Sequence, residues 1–309
     1  MGVGFIFPGQ GSQAIGMLSE LAEHYPLVIE TFAQASDVLN YDLWQLVQAG
    51  PETDLNDTRH TQPAMLAAGV AVWRVWQACH GAEPTAMAGH SLGEYTALVC
   101  AQALDFKSAV ALVAKRGQSM QAAVPAGDGA MAAILGLDDN AVRDACGEAA
   151  QGDVVEAVNF NAPGQVVIAG QISAVMRAIE AAKIAGAKRA VLLPVSVPSH
   201  CALMKPAAES LAAVLAQVEI APPIFPVINN CDAIAYTDAS SIRDGLTRQL
   251  YSPVRWVDSV NALAQKNIRF FVEAGPGKVL TGLGKRIASD LPVYPVFDTS
   301  SLTTALEIK

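Results

Sequence analysis

The sequence predicts an α/β protein in which a small β-α-β-β-α-β unit interrupts a larger domain. Three observations carry that expectation. A short apolar run at Thr85–Ala88 enters a glycine-flanked turn and then a stretch without proline, Leu92–Ala103, so strand, sharp turn and helix follow one another. Between Gly127 and Leu193 the patterns alternate in the order β-α-β-β-α-β, the ferredoxin-like arrangement. The chain is also long and apolar, with 309 residues of which 52% are hydrophobic and 16% charged. That is enough for one large core or two smaller ones, and it argues against disorder.

The elements follow in order. Val3–Phe7 is a β-rich run stopped by Pro8-Gly9-Gln10-Gly11-Ser12, and helices are expected near Gly16–Glu23 and Pro26–Leu39. Asp54–Gln62 is polar and loop-like, with a helix starting at Thr61-Gln62-Pro63 and continuing through Ala64–Cys79. Asp105 opens another helix. In the small unit, strands are expected at Ala130–Leu135, Val154–Val158, Gln165–Ala169 and Ala187–Leu193, helices at Asp138–Ala149 and Ser173–Ala185, and a turn at Asn161-Ala162-Pro163-Gly164. Pro125-Ala126-Gly127 and Pro194–Pro198 bound it. This gives a large domain of residues 1–125 and 198–309 and an inserted domain of residues 126–197. Beyond it come a helix near Ala202–Val218, a strand at Phe225–Asn229, helices at Ser241–Leu250 and Trp256–Lys266, a strand at Arg269–Glu273, a helix at Val279–Ser289 and a strand at Val293–Phe297.

Bulk properties exclude several functions. A net charge of −9 argues against non-specific binding to nucleic acid or anionic membrane. No apolar run approaches the roughly 18 residues of a membrane span, and the first residues lack the basic region of a signal peptide. The five cysteines show no C-x-x-C spacing, which suits reduced thiols in the cytoplasm better than disulfides or zinc.

Chemistry concentrates at Gly89-His90-Ser91-Leu92-Gly93, which fits the G-x-S-x-G nucleophile elbow. The turn exposes the Ser91 hydroxyl, and the N–H groups that follow sit at a helix N-terminus, where negative charge is stabilised. Such a serine needs a base. His24 and His80 lie at polar helix ends, His60 in a charged loop, and His90 is too close along the chain to reach back. His200 remains, and it is the only histidine after Ser91. No required acid can be named between the two, so a backbone carbonyl or amide is left to orient the imidazole. In the helix opened by Asp105, Ala109, Leu112, Val113, Arg116 and Met120 share one face, which sets Arg116 in an apolar stripe. It either snorkels or pairs structurally, or it waits for a substrate carboxylate. Gly9-x-Gly11 with Ala14 formally fits a dinucleotide loop, but no acidic residue follows at the right place. A loop of backbone N–H donors and a plain turn are the other readings.

Together, Phe7-Pro8-Gly9-Gln10-Gly11-Ser12-Gln13, Thr61-Gln62-Pro63-Ala64, Gly89-His90-Ser91-Leu92-Gly93-Glu94-Tyr95, Arg116, Val197-Pro198-Ser199-His200 and Gly275-Pro276-Gly277-Lys278 resemble the malonyl-CoA:acyl carrier protein transacylase family over nearly the whole chain. The resemblance implies a hydrolase-like α/β domain with a parallel sheet, interrupted by the ferredoxin-like one. It implies Ser91 as the acylated nucleophile, His200 as base, the N–H groups of Gln10 and Leu92 as oxyanion hole, and Arg116 as the malonyl-carboxylate site. A carbonyl near Gln249 would orient the histidine, and Asn159 and Asn161 would line the pantetheine path. Malonyl-CoA and phosphopantetheinylated acyl carrier protein are the implied partners, with coenzyme A entering as thioester substrate and no bound cofactor or metal. Lys188-Arg189 and Lys285-Arg286 are candidate docking sites for an acidic carrier protein. A serine thioesterase, an acyltransferase for a substituted malonyl unit, and an idle carrier-binding scaffold are the rival readings.

Overall fold

The computed structural model describes residues 2–195 and 197–308. Five strands form a fully parallel sheet: β1 (Gly2–Phe7), β2 (Pro84–Gly89), β7 (Val227–Ile228), β8 (Ile268–Ala274) and β9 (Val293–Val296), in the order β7-β2-β1-β8-β9. Parallel sheets survive only with both faces covered. Phe5 and Phe7 of β1 accordingly join the core built on the long helix Thr58–Ala78, while Ile6 joins a second core with Trp256 and Phe271. The four strands between, β3 (Gly129–Leu135), β4 (Val155–Ala162), β5 (Gln165–Gln171) and β6 (Arg189–Leu192), make a separate antiparallel sheet. Its order is β4-β5-β3-β6, with helices Asp139–Ala150 and Ile172–Ile184 packed on it around their own apolar cluster.

The small sheet meets the large body along β4. Val254 donates its N–H to Val158 O at 2.8 Å and accepts the Phe160 N–H at 3.0 Å, so the small sheet is tied to the large body by backbone pairing. Arg286 adds a second tie, donating to Pro163 O at 2.7 Å and to the Gln165 side chain.

Several expectations need correction. The helix expected to begin at Thr61-Gln62-Pro63 begins at Thr58, because the Asp57 carboxylate accepts the Arg59 N–H at 2.9 Å and caps it earlier. His60 is therefore helical rather than in a loop. The turn expected over residues 161–164 is confined to Pro163-Gly164, and Asn161 stays in β4, extended toward His90. The strand at Phe225–Asn229 shrinks to two residues, since Asn229 turns back to donate to Ile234 O. Helices Leu43–Ala49, Glu52–Leu55 and Thr299–Leu306 were not anticipated; all are shorter than three turns and carry little periodic signal. Ser196, within the second domain boundary, lies outside the described residues.

Candidate active site

Packing dictates the shape of the elbow. A Cβ on Gly89 would lie 1.8 Å from the carbonyl carbon of Gly93, and one on Gly93 would lie 2.1 Å from the Phe7 carbonyl oxygen on β1. Only glycine lets the helix Gly93–Cys100 start that close to two strands. Ser91 is left at the tip with φ of +51°, a left-handed conformation costing a serine about 1–3 kcal/mol. Two side-chain amides hold it there. Asn230 Oδ1 accepts the Ser91 N–H at 2.7 Å, and Gln249 Nε2 donates to Ser91 O at 3.0 Å.

His200 reaches the same point from the segment after the small sheet. Its Nε2 lies 2.8 Å from Ser91 Oγ, and its Nδ1 lies 2.7 Å from the backbone oxygen of Gln249. A carbonyl only accepts, so Nδ1 carries the proton and Nε2 turns its lone pair toward the hydroxyl. No acid is required to set the tautomer. Burial, helped by the nearby Arg116 charge, pushes His200 down to about 3, so the ring is neutral and able to take a proton at ordinary pH.

Arg116 projects from helix Phe106–Ala123 and is 1% exposed. Its Nη2 donates to Gln249 Oε1 at 3.0 Å and lies 3.5 Å from Ser91 Oγ, with the guanidinium 5.5 Å from the Tyr95 ring centre. Its Nε has no partner, and among the described residues no carboxylate forms an ion pair with it. A buried cation with a spare donor beside a histidine-bonded hydroxyl can seat an anionic group.

These groups open on one cavity of about 110 Å³, which Gln10, Leu92 and Asn159 also line. The Gln10 and Leu92 N–H groups have no backbone acceptor among the described residues, which leaves both available to a developing oxyanion. Asn159 presents a buried, unpartnered Oδ1, as a group awaiting a ligand donor would. Asn161 is engaged instead, its Oδ1 2.7 Å from His90 Nε2, and the His90 ring rests edge-on against Trp256.

Sequence reasoning missed the layer beneath. Glu94 is 3% exposed, and its carboxylate accepts from Asn229 Nδ2 at 2.7 Å, Asn230 N–H at 3.0 Å and Gln249 Nε2 at 2.7 Å. Burial pushes its carboxyl up to about 7, against the pull of those donors. Glu94 was visible inside the elbow motif, but no spacing linked it to Asn229, Asn230 or the Gln249 side chain.

Comparison with known proteins identifies the family. The family described as acyl transferase domain matches residues 4–296. The malonyl CoA-acyl carrier protein transacylase of Escherichia coli strain K12 is 58% identical over 304 residues, covering 98% of both chains. A solved acyl carrier protein S-malonyltransferase from Vibrio cholerae superposes with a TM-score of 0.96 at 60% identity, covering 98% of this chain and 99% of that one. A type II PKS malonyl-transacylase, solved in complex with its acyl-carrier protein, superposes at 0.98 with 58% identity and 99% coverage of each. By sequence over nearly its full length and by fold, the chain belongs to the malonyl-CoA:acyl carrier protein transacylases of the acyl transferase domain family.

Proposed function

We propose that this chain transfers a malonyl group from malonyl-CoA to the phosphopantetheine thiol of acyl carrier protein through an ester on Ser91, supplying acyl-chain elongation. The observation that carries the reading is the position of Ser91 Oγ, 2.8 Å from His200 Nε2 and 3.5 Å from Arg116 Nη2, which sets a base and an unpaired cation beside one nucleophile.

The steps follow from that geometry. His200 Nε2 takes the hydroxyl proton as Oγ attacks the thioester carbonyl, and the oxyanion meets the N–H groups of Gln10 and Leu92. Each donor of this kind is worth about 10²–10³ in rate. The C–S bond breaks, and the leaving sulfur takes the proton from His200. In the second half the carrier thiol gives its proton to His200 and attacks the ester carbonyl; the C–Oγ bond breaks and the serine oxygen recovers the proton. Arg116 holds the malonyl carboxylate throughout, each charged hydrogen bond contributing about 1.5–3 kcal/mol. Asn159, lining the same cavity with an unpartnered Oδ1, is assigned to the pantetheine amides.

In this reading residues 126–197 act as a separate small domain whose β4 edge forms one wall of the cleft. Coenzyme A enters as thioester substrate, not as a resident cofactor. Among the described residues no helix is long and apolar enough to cross a membrane, and a cytoplasmic setting fits the five free cysteines. The test is product identity: with malonyl-CoA and phosphopantetheinylated carrier protein, malonyl-carrier should form. Free malonate, released faster without carrier than transfer occurs with it, would favour a hydrolase.

A further inference from the structure

Glu94 is a buried carboxylate that does not itself line the cavity, and its side chain makes no hydrogen bond to Ser91 Oγ. We propose that Glu94 is a positioning residue: it fixes the orientation of the Gln249 side-chain amide, which in turn aims the Arg116 guanidinium at the malonyl carboxylate. The inference rests on the malonyl-transfer reading above.

The argument is one of donors and acceptors. Arg116 offers only donors, and Glu94 is met on its two oxygens by three donors, so it acts as an acceptor here. The Gln249 amide lies between them and fits one way round. Oε1 faces Arg116 Nη2 at 3.0 Å, and Nε2 faces Glu94 Oε2 at 2.7 Å and Ser91 O at 3.0 Å. The opposite orientation would press an NH2 group against the guanidinium.

The remaining partners of Glu94 cannot rearrange to compensate. Asn229 Oδ1 already accepts the N–H groups of Cys231 at 2.8 Å and Asp232 at 3.1 Å, so its NH2 must face Glu94. Asn230 meets Glu94 with its backbone N–H, while its side chain is committed to Ser91 N–H and to Gly89 O. Every group around the carboxylate is therefore a donor. Glu94→Gln keeps the shape but brings an NH2 into that ring. Asn229 is locked by two backbone N–H groups and Asn230 meets Glu94 through its own backbone, so the strain falls on the Gln249 amide. Rotation of that amide disturbs Arg116 and costs Ser91 O one donor, while Asn230 still holds the Ser91 N–H and His200 stays on the Gln249 backbone oxygen.

The consequence is a selective loss. In Glu94→Gln, acylation of Ser91 from malonyl-CoA should slow about tenfold or more, the scale of one charged hydrogen bond, while acylation from acetyl-CoA changes much less. Gln249→Met removes the amide and leaves Glu94 intact. It should lose malonyl preference to a similar degree, and the double variant should lose little more than either single one.

The experiment measures single-turnover acylation of Ser91 by mass spectrometry, with malonyl-CoA and acetyl-CoA separately, for the full-length protein and the three variants. A drop confined to malonyl, shared and non-additive between positions 94 and 249, supports the inference. Equal losses for both acyl groups, or additive losses in the double variant, overturn it. If Glu94→Gln does not fold, Gln249→Met alone decides, and an unchanged malonyl preference there overturns the inference. Failure of the unaltered protein to take a malonyl group at all would defeat the transfer reading instead.

Discussion

The Gln249 backbone oxygen receives the Nδ1 proton of His200 at 2.7 Å, in the place where many serine enzymes use a carboxylate. A neutral acceptor sets the tautomer without adding a charge, and the ring stays neutral in its buried position.

That burial has a pH signature. The folded His200 sits at about 3 against 6.5 in an unstructured chain, so below 6.5 the unfolded state binds the extra proton. The stabilisation is complete above pH 6.5 and is lost as the pH falls toward 3. Urea unfolding at pH 7 and pH 4.5 should show a larger loss for the unaltered protein than for His200→Gln; equal losses would place His200 in a more solvated site.

Arg116 should govern which acyl group is accepted. Arg116→Ala removes the cation and leaves Ser91 and His200 bonded to each other. The ratio of malonyl to acetyl acylation should fall by about tenfold or more, as expected for one lost charged hydrogen bond or several. Unchanged selectivity would remove Arg116 from the carboxylate site.

The elbow glycines tolerate no side chain. In Gly93→Ala the new methyl would lie 2.1 Å from Phe7 O, a backbone atom with no room to retreat. Overpacking of this kind costs about 1–3 kcal/mol or more, so thermal melting should come earlier and acylation of Ser91 should be largely lost. A stable, fully active variant would mean that the elbow is looser than its contacts indicate.

Carrier docking can now be narrowed between two basic pairs. Arg286 is occupied by the Pro163 carbonyl and Gln165, so Arg286→Glu should weaken the link between the sheets and lower stability. Arg189 is exposed on β6 with no such partner among the described residues. Lys188→Glu with Arg189→Glu should raise KM for carrier protein and spare that for malonyl-CoA; equal effects on both would argue against docking there.

Much of this was legible in the chain. The alternating α/β texture and the inserted ferredoxin-like unit followed from strand and helix periods, and the parallel sheet from the family resemblance. Ser91, His200 and Arg116 were singled out by an elbow, an elimination and an apolar stripe, with the resemblance supplying their roles. The structure brings His200 and Arg116 each within hydrogen-bonding range of Ser91 Oγ, although 109 residues separate Ser91 from His200. What could not be read was local competition and long-range polar pairing. Asp57 out-competes Thr61 as a helix cap only because its carboxylate reaches Arg59. The grip of Glu94 on Asn229, Asn230 and Gln249 joins residues with no periodic relation, and only the folded chain reveals it.

The central claim is that Ser91 carries the malonyl group between two thiols. Peptide mapping by mass spectrometry after mixing with malonyl-CoA tests it most directly. A malonyl ester should appear on the peptide containing Ser91, disappear when phosphopantetheinylated carrier protein is added, and be absent from Ser91→Ala. An adduct that persists in Ser91→Ala, or one that the carrier protein cannot discharge, would contradict the account.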